Sequence, residues 1–166
     1  MKSFFPNIIL LALVIIFCGG LHAAQAQDQM QTWIPRCNEN QGQGTQECEI
    51  FQRLLVRETG QRVAEFAVGF PDGRNQNARG VIVLPLGILL NEKTSLQIDD
   101  GAHFNFKMRY CTQNGCYAFL DLTPAIIEMM KKGNEAAFHF ITLEGNAMSI
   151  DLSLVGFTKA LDSAYQ

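Results

Sequence analysis

Two pairs of cysteines, two histidines and one run of adjacent carboxylates are the groups in this chain with the most capacity for chemistry. Cys37 and Cys48 are separated by ten residues, and Cys111 and Cys116 by four. Four thiols could hold zinc, exchange disulfides with a partner, or bridge each other. The two spacings do not match the close paired knuckles of structural zinc, and a redox pair would favour Cys-x-x-Cys, which is missing. Bridging is left. His103 sits on the polar side of a strongly alternating segment, and His139 lies between Phe138 and Phe140; neither belongs to a metal-binding or nucleophile motif. No Gly-x-Ser-x-Gly elbow, His-Glu-x-x-His helix or phosphate-cradling loop occurs. Asp99-Asp100-Gly101 has carboxylates beside glycine but lacks the alternating ligands of a calcium loop, so it reads as a tight turn. No nucleophile, base and stabiliser can be named together, and the expectation is a protein that is not an enzyme and takes no cofactor and no metal.

The elements that position these groups begin with an export signal. Lys2 provides a positive end, Ile8 to Phe17 an apolar run, and Ala24-Gln25-Ala26 a small-x-small cleavage site, so residues 1–26 read as a cleaved signal peptide. The run is interrupted by Gly19-Gly20, too early for a membrane anchor of roughly 20 apolar residues. Phe17 is too bulky to precede a lipid-modified Cys18, which is discarded with the signal. The remaining 140 residues, 27–166, fit one domain with one core. Losing Lys2 moves the formal charge from −3 to −4 and leaves no dense basic run, which excludes nucleic acid and an anionic membrane surface as electrostatic partners. No membrane-spanning segment is expected after cleavage.

From Val63 onward the segments are short, β-branched and aromatic, and separated by Gly, Asn or Asp. Strands are expected at 33–37, 48–55, 62–70, 80–84, 95–99, 103–111, 116–122, 136–143 and 148–155. In the clearest, Phe104, Phe106, Met108 and Tyr110 alternate with His103, Asn105, Lys107 and Arg109, so one face is core and the other wet. Tyr117 and Phe119 extend that apolar stripe, which reads as core. One short interior helix, Pro124 to Lys132, has Thr123 as N-cap, proline in its first turn, two lysines at its end and Gly133 as a stop. A short C-terminal helix is indicated by Phe157, Ala160, Leu161 and Ala164. The fold class is therefore all-β: an antiparallel β-sandwich or partly closed barrel, with an α+β arrangement on a single sheet as the alternative.

Strand register selects the cysteine pairing. If Thr112 to Gly115 close a hairpin, Cys111 faces Cys116, Tyr110 faces Tyr117 and Met108 faces Phe119. The same construction sets Cys37 against Cys48, Arg36 against Glu49 and Ile34 against Phe51. Directly opposed Cα atoms lie about 4.5–5.5 Å apart, within disulfide reach. Bridges Cys37–Cys48 and Cys111–Cys116 would each contribute roughly 2–3 kcal/mol in the chain-entropy model, and only in an oxidising compartment.

An ordered set of segments carries a resemblance. Trp33-x3-Cys37, Cys48, Val83-Leu84-Pro85-Leu86-Gly87-Ile88-x-Leu90, Ile98-Asp99-Asp100-Gly101, Cys111-x3-Gly115-Cys116-x-Ala118 and Ser153-Leu154-x-Gly156-Phe157-x2-Ala160-Leu161 together resemble the invasion-associated locus B family of secreted bacterial proteins. The resemblance spans Trp33 to Leu161. It implies a β-rich, exported, envelope-associated protein, in pathogenic members linked to entry into host cells, without assigned enzymatic chemistry. The expected function is a disulfide-stabilised interaction protein that is periplasmic or secreted to the outer surface and meets a protein or surface ligand. The alternative is a periplasmic accessory protein for envelope maintenance or assembly. The polar loop between Cys37 and Cys48, with Asn40, Gln41, Gln43 and Thr45, is the candidate contact segment, because its ends would be fixed while its middle adapts.

Overall fold

The computed structural model describes residues 32–39, 46–55, 59–72 and 76–165. The expected signal segment, residues 1–26, and the candidate loop residues 40–45 lie outside them. Alternation of apolar and polar residues produces two antiparallel sheets. The larger is built from β1 (Ile34–Glu39), β2 (Gln46–Leu55), β3 (Arg62–Gly69), β4 (Ala78–Leu84), β7 (Met108–Thr112) and β8 (Gly115–Leu122), in the order β1-β2-β3-β4-β8-β7. The smaller contains β5 (Thr94–Ile98), β6 (His103–Phe106), β9 (Glu135–Ile141) and β10 (Ala147–Ser153), in the order β10-β9-β5-β6. The arrangement is an open sandwich, so neither the partly closed barrel nor the single-sheet α+β alternative describes it.

The inner faces meet through large buried side chains. Phe66 of the larger sheet and Phe138 of the smaller are both fully buried and pack edge to face at 4.9 Å. Ile50, Ile82, Leu84 and Leu122 on one side and Leu96, Leu152 and Ile150 on the other complete the layer. Polar atoms join the sheets at one margin: Trp33 Nε1 and Gln52 Nε2 both donate to the Ser153 carbonyl, at 2.8 and 2.9 Å. The donor that keeps most Trp side chains partly wet is thereby satisfied, and Trp33 packs between Phe66 and Phe157.

Helix α1 (Pro124–Lys132) carries the chain from β8 to β9, between sheets. Its start and stop follow from sequence: Thr123 Oγ1 accepts from Ile126 N at 3.4 Å, and the Gly133 amide bonds Met129 O at 2.8 Å. Glycine is required at 133 by close approach, since a Cβ there would lie 2.8 Å from Ile98 and 3.0 Å from Leu154. The Glu128 carboxyl is held below the usual range by its hydrogen bond to Lys131, 2.7 Å away, and by that cation's charge. Helix α2 (Phe157–Ala164) buries Phe157, Ala160, Leu161 and Ala164. Just beyond it, Tyr165 donates to Cys48 O and accepts from Phe70 N, fastening the C-terminus to the larger sheet.

The segment expected as one strand, 103–111, divides between the sheets. β6 pairs with β5, whereas β7 pairs with β8, and the chain crosses at Lys107. A bulge follows: Met108 faces Ala118 and Tyr110 faces Tyr117, so Arg109 and Tyr110 together oppose one residue of β8. Met108 therefore does not face Phe119 as simple counting required. The extra residue reverses the parity of all that follows, which turns Tyr110 outward and Cys111 inward. Tyr110 is 47% and Phe119 43% exposed, and Tyr117 is half-buried, so the apolar stripe is core only at its Phe104–Met108 end.

Candidate functional site

Both expected disulfides form. Cys37–Cys48 joins β1 to β2 with Cα atoms 4.0 Å apart, and Cys111–Cys116 joins β7 to β8 at 3.9 Å. β1 and β7 are the two edge strands of the larger sheet, each held by a ladder on one side only. Each bridge therefore staples an edge to its single neighbour. Gly115 makes the second possible: its φ is +129°, and a Cβ would lie 2.6 Å from Leu84 O.

The histidines are brought together by β5, which lies between their strands. His103 opposes Gln97 and His139 opposes Ser95. Ser95 Oγ and His103 Nδ1 are 3.0 Å apart, His139 Nε2 and Gln97 Oε1 are 3.0 Å apart, and the two rings lie 5.0 Å apart. This is a polar ladder across the solvent face of the smaller sheet. Strand alternation showed that both histidines could point outward, but the order β9-β5-β6 is a long-range property. Asp99 serves structure: at φ 48° it presents Oδ1 to the amides of Asn134 and Glu135, at 2.9 and 3.0 Å, and so ties the β5 turn to the start of β9. Among the described residues no three His, Cys, Asp or Glu side chains gather in a group that could hold a metal ion.

The solvent face of the larger sheet carries two contrasting zones. Toward β1, Arg36 grips Glu49 at 2.5–2.8 Å and lies 4.5 Å over the Phe51 ring. Glu65, nearly buried, receives Arg53 at 2.6 Å, with Arg62 at 3.5 Å and Arg36 at 3.9 Å. The network fixes its arginines, because three guanidinium groups share one carboxylate. Toward β7, Tyr110 and Tyr117 stack at 5.2 Å, with Phe119 6.4 Å from Tyr110. Exposed aromatic rings on a rigid sheet give contact area at small entropic cost.

Two clefts adjoin the aromatic zone. The outer, about 530 Å³, is lined by Pro71, Asp72, Gln76, Asn77, Arg79, Arg109, Phe119 and Asp121. The inner, about 400 Å³, opens between the sheets and is lined by Leu96, Phe104, Phe106, Lys107, Leu120, Leu122 and Ile126. Arg109, Phe119, Leu120 and Asp121 border both. The sequence reading missed this region because the bulge that creates it is invisible in the alternation.

The profile of the invasion associated locus B (IalB) protein family matches residues 33–165. The chain belongs to that family. Among its relatives, an invasion protein B homologue of Brucella abortus strain 2308 is 28% identical over 141 residues, covering 84% of this chain and 79% of the homologue. A second, from Brucella abortus biovar 1 strain 9-941, matches to the same extent. The crystal structure of invasion associated protein B from Bartonella henselae superposes with a TM-score of 0.72 at 19% identity, covering 81% of this chain and 91% of that one. At that identity the likeness establishes the fold, and the IalB fold is the two-sheet sandwich described above.

Proposed function

We propose that this IalB-family protein is exported to the bacterial envelope and acts there by binding a protein or surface ligand without turning it over, contributing to contact with host cells. The observation that carries the reading is the stapling of both edge strands of the larger sheet by disulfides. Such bridges persist in an oxidising compartment and hold the sheet's solvent face rigid. That face presents fixed arginines and exposed aromatic side chains, the residue types that dominate protein contacts. The naming of the Brucella and Bartonella relatives for invasion points the same way.

Protease treatment of intact cells, followed by immunoblotting, tests the placement. Loss of the protein before the envelope is permeabilised is the expected result. Complete protection until permeabilisation would assign it to the periplasm and favour an accessory role in envelope maintenance or assembly.

A further inference from the structure

The ladder on one side of β8 stops halfway along the strand. β4 accompanies β8 from Cys116 to Leu122, whereas β7 accompanies it only from Gly115 to Ala118. The residues preceding Met108, which would have continued β7, have crossed to the smaller sheet, where Asn105 and Phe106 pair with Ser95 and Thr94. The edge of Phe119–Leu122 therefore faces a notch, with the outer cleft on one face and the inner cleft on the other.

An extended polypeptide needs this combination of a free strand edge and room for alternating side chains on both sides. Building on the binding role proposed above, we propose that the Phe119–Leu122 edge accepts an extended segment of a partner protein as an added strand. Four residues of edge span about 13 Å, enough for about two ligand side chains on each face. Those entering between the sheets meet Leu96, Phe104, Leu122 and Ile126 and are apolar. Those on the outer face meet Arg79 and Arg109, neither of which has an ion-pair partner among the described residues, while Asp121 already accepts from Asn77 at 3.2 Å. The complementary side chain there is a carboxylate. The ligand is thus a short strand alternating apolar and acidic residues.

The test is selection of a phage-displayed library of random linear 12-residue peptides on the oxidised protein. Enriched sequences should alternate apolar residues with Asp or Glu at a period of two. A synthetic peptide of the enriched sequence should slow amide hydrogen exchange within Phe119–Leu122 at least tenfold, as strand pairing requires. Its affinity should fall at least tenfold in Arg109→Glu, which reverses the charge of the outer cleft, and in Ile126→Trp, which fills the inner one. Failure to enrich binders, unchanged exchange at Phe119–Leu122, or undiminished affinity in both variants would each overturn the assignment. An envelope or host-membrane partner retained equally by the parent and Arg109→Glu would also overturn this site, while leaving the binding role intact.

Discussion

Replacing Cys37 and Cys48 together by serine removes the staple from β1, a strand whose ladder has one side only. The bridge spans 11 residues of sequence. Taking the closed loop as about 12 residues, the chain-entropy relation gives a loss of about 2.8 kcal/mol. The corresponding figure for Cys111–Cys116, at a separation of 5, is about 2.2 kcal/mol. Packing adds little at the first site, since Cys37 is exposed and Cys48 only half-buried. Equilibrium unfolding in urea, monitored by Trp33 fluorescence, measures the effect: with a slope of about 2 kcal/mol/M, the midpoint falls by about 1.4 M. Trp33 suits this assay because it lies directly before β1, buried against Phe66 and Phe157. A shift under about 0.3 M at unchanged slope would refute the argument that the edge depends on its bridge.

Four further outcomes follow from the packing. Gly115→Ala should cost about 2–4 kcal/mol in thermal or urea unfolding, because the residue combines positive φ with a Cβ clash against backbone. Trp33→Phe, which removes the donor to Ser153 O while keeping an aromatic ring, should cost about 1 kcal/mol plus the volume lost. Asp99→Ala should cost about 2 kcal/mol by stranding the Asn134 and Glu135 amides, and their exchange should accelerate. The Glu128 carboxyl should titrate by NMR below an unpaired glutamate and return to the ordinary range in Lys131→Ala; since the folded value is depressed, its small contribution is present above the ordinary range and fades as pH falls through the folded value.

Much of the fold was legible because it depends on local signals. Thr123, Pro124 and Gly133 bounded α1, and Asn114-Gly115 placed the β7–β8 turn. The disulfides followed from hairpin register, a short-range property, and both pairings hold. What escaped was set by long-range geometry. Alternation from Phe104 to Tyr110 is continuous in sequence, so nothing marked the crossing at Lys107 or the bulge at Arg109, and Tyr110 and Phe119 were assigned to the core although they face solvent. The approach of His103 to His139 and the reach of Asp99 to Glu135 depended on β5 lying between β6 and β9. The clefts beside β8 arise where one strand leaves the larger sheet for the smaller, which is a consequence of topology.

The central claim is that an oxidised scaffold binds a ligand and leaves it chemically unchanged. Its most direct test is capture from envelope and host-membrane extracts on immobilised oxidised protein, with mass analysis of the bound ligand before and after prolonged incubation. The account predicts a specific ligand retained at unaltered mass and released when the disulfides are reduced. A captured ligand that is converted to product, or that binds the reduced protein equally well, would contradict it.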